Sequence, residues 1–117
     1  MPNANNKNVV RFEYTETAKA NITTIASFLK VNNVEPKSII DAALTEFENK
    51  VGVFPESCPI SPQLISIGCA KYRECNTKNG YRFLYSVNGN VDNVTCHAII
   101  RQEQDLQGLL FSRMIER

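Results

Sequence analysis

No apolar run in the sequence approaches the roughly 18 residues that a membrane-spanning helix requires, so a membrane protein is not expected. The opening stretch MPNANNKN has neither a basic n-region nor an apolar h-region and does not read as a secretory signal. A cytoplasmic location is the simplest expectation. Charge of one sign is also lacking: 13 Lys and Arg stand against 12 Asp and Glu, a formal net charge of +1. So even a balance argues against strong nonspecific binding to nucleic acid. The four cysteines (Cys58, Cys69, Cys75, Cys96) form no CxxC pair, and their gaps do not fit a metal knuckle. Cys96 and His97 would point to opposite faces of any strand, which disfavours both a shared metal and a Cys–His nucleophile. Buried free thiols are the expectation, and no metal or cofactor is implied. There is no internal repeat and no linker long enough to separate two domains.

What is present is ordinary for one globular domain: 117 residues, of which 43% are hydrophobic and 21% charged. The charges are unevenly spread. Residues 1–56 carry six Lys/Arg and seven Asp/Glu, a balance of −1. Residues 71–101 carry Lys71, Arg73, Lys78, Arg82 and Arg101 against Glu74 and Asp92, a balance of +3. A mildly basic, tyrosine-bearing segment of this kind is either a solvated sheet face or a gripping surface.

The periodicities predict the elements. The first eight residues hold four asparagines and a proline and are expected to be a flexible tail. In VVRFEY (9–14), Val10, Phe12 and Tyr14 alternate with Arg11 and Glu13, the mark of a half-buried strand. Ala18, Ile22, Ile25, Ala26 and Leu29 then draw an apolar stripe along a helix over about 16–30. Pro36 suits the first position of a second helix, whose stripe is Ile39, Ile40, Ala43, Leu44, Phe47 and Val51, with Gly52 placed to cap it. Two such helices should pack as an antiparallel hairpin. Residues 54–70, with three of the five prolines, read as a long ordered loop.

YRECNTKNGYRFLYSV (72–87) predicts a hairpin closed at Asn79-Gly80 by a type I′ turn. Tyr81, Phe83, Tyr85 and Val87 share one face of its second strand, and Arg82, Leu84 and Ser86 the other. After a second turn over 88–93, Val94, Cys96, Ala98 and Ile100 alternate with Thr95, His97, Ile99 and Arg101. Asp105 can cap a last short helix bearing Leu106, Leu109, Leu110 and Met114. The expected fold is α+β: an antiparallel sheet, made of the N-terminal strand and a three-stranded meander, covered on one face by the helical hairpin. Its opposite face is expected to stay partly open, with Arg73, Arg82 and Arg101 able to lie near one another there. Register decides that, since a one-residue slip turns a side chain inward.

These residues carry a family likeness. Phe54-Pro55, Tyr72-Arg73, GYRFLYSV (80–87), VTCHAII (94–100) and RQEQDLQGLL (101–110) together resemble the RelE/ParE superfamily, toxins of bacterial type II toxin–antitoxin pairs. The likeness spans nearly the whole chain, and the β-α-α-β-β-β-α element order agrees with it. It implies a tail over 1–8 followed by a single toxin-like domain over 9–117. It also implies one of two activities. RelE-like members enter the ribosomal A site and cleave mRNA without a metal, using the ribose 2′-OH as nucleophile. ParE-like members poison DNA gyrase. The FP…PQL stretch (Phe54-Pro55, Pro62-Gln63-Leu64) is closer to the ParE side.

The ending separates the two further. Many relatives have a His where Arg101 stands, and an Arg near Glu103 or Gln104. A general base near neutral pH is most naturally a His or a carboxylate, so Arg101 cannot take that role, although it can hold a phosphate. Glu103 is a conceivable base and equally a residue suited to a helix start. His97 lies four residues from the expected His and reads as a structural strand residue. Tyr81 and Tyr85 belong with the core, and Tyr72 is the more open tyrosine.

The preferred expectation is a ParE-like toxin that binds a protein target through Lys71, Arg73, Arg82, Arg101 and Arg113. Its partners would be a cognate antitoxin and DNA gyrase, with a dimer or a toxin–antitoxin hetero-oligomer as the assembly. The alternative is an mRNA endonuclease in which Arg73, Arg82 and Arg101 cradle phosphate, Glu103 or Tyr72 assists proton transfer, and ribosome and mRNA are the partners.

Overall fold

A computed structural model describes residues 10–89 and 92–101 of the chain. The N-terminal tail, the last helix expected from Asp105 onward, Glu103 and Arg113 lie outside the described residues. Strand β1 (Arg11–Tyr14) leads into helix α1 (Glu16–Val31) and helix α2 (Pro36–Val53). A short helix α3 (Pro62–Ile65) precedes strands β2 (Arg73–Asn76), β3 (Tyr81–Val87) and β4 (Asn93–Arg101).

Local chemistry sets the helix ends. Thr15 caps α1: its hydroxyl accepts from the Ala18 N–H at 3.1 Å and donates to the His97 carbonyl at 3.2 Å. At the other end Asn33 takes the left-handed conformation (φ 61°), and Val34 N–H returns to the Leu29 carbonyl at 2.8 Å. Pro36 occupies the first turn of α2 as expected, with Glu35 as its cap. Gly52, however, does not cap α2. The helix continues through it to Val53, and the chain leaves in extended conformation at Phe54 (φ −138°). The cause is Pro55, whose ring disfavours helical geometry in the residue before it.

The sheet order is β1-β4-β3-β2. The meander β2-β3-β4 is antiparallel as expected, whereas β1 joins β4 in parallel, so the sheet is mixed. A parallel neighbour needs a crossover, and the α1–α2 hairpin lies between β1 and the meander in the chain. The crossover places Phe12 and Tyr14 over the helices. Tyr14 donates to Glu48 on α2 at 2.5 Å, and burial, then Glu48, pushes the phenol well above its ordinary pKa.

The β2–β3 turn differs from the type I′ expectation. Thr77 N–H pairs with the Tyr81 carbonyl, Gly80 N–H returns to Thr77, and Gly80 alone has positive φ (94°). That is the three-residue connection with glycine in the left-handed position. Asn79 stays at negative φ because its side chain is engaged, accepting from the Thr77 hydroxyl at 2.8 Å and donating to the Ile39 carbonyl at 3.1 Å. Nothing lies within 4 Å of a Cβ built on Gly80. Gly80→Ala should therefore lower stability through backbone strain alone, by about 1–2 kcal/mol. Urea denaturation measures this, and an unchanged midpoint would contradict the turn.

The helix-facing core holds Ala18, Ile25 and Leu29 of α1, Ala43, Phe47 and Val51 of α2, and Phe83, Tyr85, Val94, Cys96 and Ile99 of the sheet. Ala18, Ile25 and Leu29 are the expected stripe of α1, and Ala43, Phe47 and Val51 that of α2. The opposite face is not open. Leu64 of α3 and the half-buried Cys69 pack there on Tyr72, Leu84, Ala98 and Ile100, so the proline-rich stretch forms a second, smaller core. A β-bulge explains the split of β4. Leu84 pairs with Ala98 but Tyr85 with Cys96, which leaves His97 without a partner residue on β3. The strand thus changes phase: Val94 and Cys96 face the helices, then Ile99 does, while Ala98 and Ile100 face α3. The unbroken alternation expected for β4 fails at this one residue.

Candidate functional site

Each Tyr-Arg pair of YRECNTKNGYRFLYSV is split across the sheet, with its tyrosine and its arginine on opposite faces. Arg73 stands opposite Tyr85 in register and Arg101 opposite Tyr81, both on the helix-facing side. Arg82 stands opposite Asn76 and Ile100, on the α3 side. The gathering of Arg73, Arg82 and Arg101 on an open face is therefore overturned. For Arg101 the reason is the bulge at His97, which rotates the end of β4 by one residue.

Each cation has its own local task. Arg73 Nη1 donates to the carbonyls of Cys58 (2.6 Å) and Glu56 (3.2 Å), which braces the loop after α2. Arg82 Nη1 lies 3.4 Å from Glu74 Oε2 and donates to Gln63 Oε1 at 2.9 Å. The Glu74 and Arg82 side chains are only 10% and 15% exposed, and Asn76 Nδ2 adds a 3.2 Å bond to the same carboxylate. The Arg101 guanidinium carbon sits 4.4 Å from the ring centre of Phe28, within cation–π range. Lys71 extends its ammonium 5.5 Å from the Tyr72 ring centre.

Tyr72 is 6% exposed and belongs to the α3-side core, a correction to its expected openness. Its ring stands edge-on to His97, 4.9 Å between centroids. His97 Nε2 in turn lies 2.7 Å from the Ser86 hydroxyl on β3. The alternation already allowed Ser86 and His97 to share a face, but the register that brings them together is not written in that pattern. Burial first, and the Lys71 charge second, hold the imidazole below its ordinary pKa, so it is neutral at pH 7.

The sign of the linkage follows. The unfolded chain binds the proton more tightly, so the stability from a neutral His97 is present above about pH 6.5 and is lost as pH falls below that value. His97 is the chain's single histidine. A proton NMR titration should place its midpoint below 6.5, and a midpoint above that would contradict the burial. His97→Gln should flatten the acid limb of the stability profile.

Two exposed apolar patches adjoin these groups. Val53 and Phe54 are 69% and 68% exposed, beside a shallow groove lined by Phe54, Pro55, Glu56 and Ser57. Phe28, Val31 and Val34 form the other, at the end of α1. Exposed clusters of this kind suit contact with another protein. Among the described residues no group of three or more His, Cys, Asp and Glu could hold a metal ion, and no helix is long and apolar enough to cross a membrane.

No protein-family model matches the sequence, and no curated protein matches it. Among solved structures the chain is similar to one described as the chromosomal ParDE TA system from P. aeruginosa, with a TM-score of 0.59 and 15% identity. The superposition covers 82% of this chain and 99% of that one, and the likeness is one of architecture: the chain has a ParE-like α+β fold.

Proposed function

We propose that this chain is a ParE-type toxin of a toxin–antitoxin pair, that it arrests growth by binding a protein target such as DNA gyrase, and that a cognate antitoxin neutralises it. The fold it shares with a chain of a ParDE system supports the toxin class. One observation favours target binding over RNA cleavage. The sheet face away from the helical hairpin is filled by Leu64, Tyr72, Leu84, Ala98 and Ile100. Its arginine, Arg82, already lies beside Glu74. An RNA cleavage site needs several cations aimed at one phosphate, with a base in reach of the attacking hydroxyl. Here Arg73, Arg82 and Arg101 are divided between two faces, and the neutral His97 is engaged with Ser86. Exposed Val53, Phe54, Phe28 and Val31 offer apolar contact to proteins instead.

Inducing the chain alone should arrest growth, and adding the gene beside it should restore growth. With purified gyrase, the protein should inhibit supercoiling and accumulate broken DNA. Normal growth on induction would overturn the toxin reading. Arrest with rapid loss of translation and transcripts cut inside ribosomes would overturn the gyrase reading in favour of the endonuclease.

A further inference from the structure

The loop after α2 carries Cys58 within ESCPIS (56–61), and β2 carries Cys75. Ile60 and Arg73 form an antiparallel bridge, so this part of the loop runs alongside β2 as an extra edge segment. Ser61 N–H donates to the Tyr72 carbonyl at 2.8 Å, and Glu74 N–H donates to the Pro59 carbonyl at 2.9 Å. Those two bonds flank Ile60 and Arg73, which makes that pair a non-hydrogen-bonded one. Two residues further along each segment come Cys58 and Cys75, both part of the helix-facing core. Residues paired in the manner of Ile60 and Arg73 have Cα atoms about 4.5 Å apart, which keeps the two segments close as they reach the cysteines. A disulfide needs Cα atoms roughly 4.4–6.8 Å apart.

The side chains agree with the backbone. Both cysteines belong to the helix-facing core, the Cys75 thiol is close enough to influence that of Cys58, and both are free. The Arg73 guanidinium holds the Cys58 carbonyl at 2.6 Å and so fixes the loop in this register.

We propose that Cys58 and Cys75 form an oxidative cross-linking site, which hydroperoxides close to a disulfide that fastens the segment 54–61 to β2. Cys58 is the thiol that meets the oxidant, since it is 8% exposed and Cys75 only 1%. The thiol of Cys75, the hydroxyls of Tyr85 and Ser57 and the charge of Lys50 favour its thiolate against the opposing effect of burial. The thiolate attacks the terminal peroxide oxygen; the O–O bond breaks, an alcohol or water leaves with a proton, and Cys58 becomes a sulfenic acid. The sulfur of Cys75 then attacks the Cys58 sulfur. The S–O bond breaks, the S–S bond forms, and the sulfenic oxygen departs as water with the Cys75 proton. Overall two thiols are oxidised and one peroxide is reduced. The site sits beside Val53, Phe54 and their groove, so closure would hold one face of that patch rigid.

The experiment uses the whole chain and hydrogen peroxide in small excess. Trypsin leaves Cys58 and Cys69 on one peptide, 51–71, and Cys75 on 74–78, so mapping is done on both wild type and Cys69→Ser. In both, the intact mass should fall by two hydrogens and peptide 51–71 should be joined to 74–78, with full reversal by dithiothreitol. Cys58→Ser should lose the mass change. In Cys75→Ser, dimedone should capture one sulfenic acid at Cys58. A link that vanishes in Cys69→Ser, or oxidation of Cys58 to sulfinic acid in the wild type with no link, would overturn the proposal. The wild-type result stands whether or not the variants fold.

Discussion

Phe47→Ala should lower the unfolding free energy by about 3–5 kcal/mol, the range found when a large buried aromatic is truncated. Phe47 is fully buried on α2 and sits at the centre of an aromatic group drawn from two strands. Its ring stacks on Phe83 with centroids 4.5 Å apart and planes 13° from parallel. Phe12, Tyr85 and Tyr14 meet it edge-on at 5.5, 5.6 and 6.5 Å. Aromatic pairs add about 0.5–1.5 kcal/mol each beyond burial, so the loss should lie toward the upper end. Against a typical total of about 5–15 kcal/mol, one such change removes a large share of the fold's margin. Phe47→Leu keeps most of the apolar volume and should cost markedly less. Urea denaturation with an unchanged slope is the measurement. A loss below about 1 kcal/mol for the alanine variant would mean that α2 does not pack on β1 and β3 as described.

The second large effect concerns Arg82. Arg82→Met should destabilise the fold by about 3 kcal/mol, because it strands the Glu74 carboxylate in a site where water hardly reaches it. Among the described residues Glu74 Oε1 has no hydrogen-bond partner, so this carboxylate has little there to fall back on. The double variant Glu74→Gln with Arg82→Met should recover a substantial part of the loss, since a neutral amide can remain bonded to Asn76. The cycle separates a folding role for Arg82 from a phosphate-binding one. An arginine kept for RNA cleavage would, on replacement, abolish activity and leave stability unchanged. Equal stability of Arg82→Met and wild type would overturn the account of this ion pair.

Elements governed by local chemistry were open to sequence reasoning. The stripes Ala18-Ile25-Leu29 and Ala43-Phe47-Val51 became the helix-facing core because a 3.6-residue period admits no other buried face. Pro36 began α2, and Tyr81, Phe83 and Tyr85 turned inward together. Misplaced features were those decided by one residue or by distant partners. The bulge at His97 inverts everything after it on β4 and carries Arg101 to Phe28. No composition signal marks a bulge that lacks glycine. Asn79-Gly80 resembles a two-residue turn, and the contacts of Asn79 with Thr77 and Ile39 decide otherwise. The parallel docking of β1 depends on the crossover path, which alternation along one strand does not encode. Leu64 covers the second face because the segment 54–70 returns along β2, so an apparent loop contributed a core.

The meeting of β1 with β4 has a consequence for how the protein is made. Phe12 pairs with Val94 and Tyr14 with Cys96, so among the described residues the first strand finds its sheet neighbour in the last strand of the chain. During synthesis the two helices emerge long before the surface that covers them, and loop closure over such a span is slow. The helix-facing core is therefore completed only when the fourth strand, which brings Val94, Cys96 and Ile99 to it, has left the ribosome. A chain cut short before Val94 would leave β1 without the strand it pairs with and the helical hairpin without its Val94, Cys96 and Ile99 contacts.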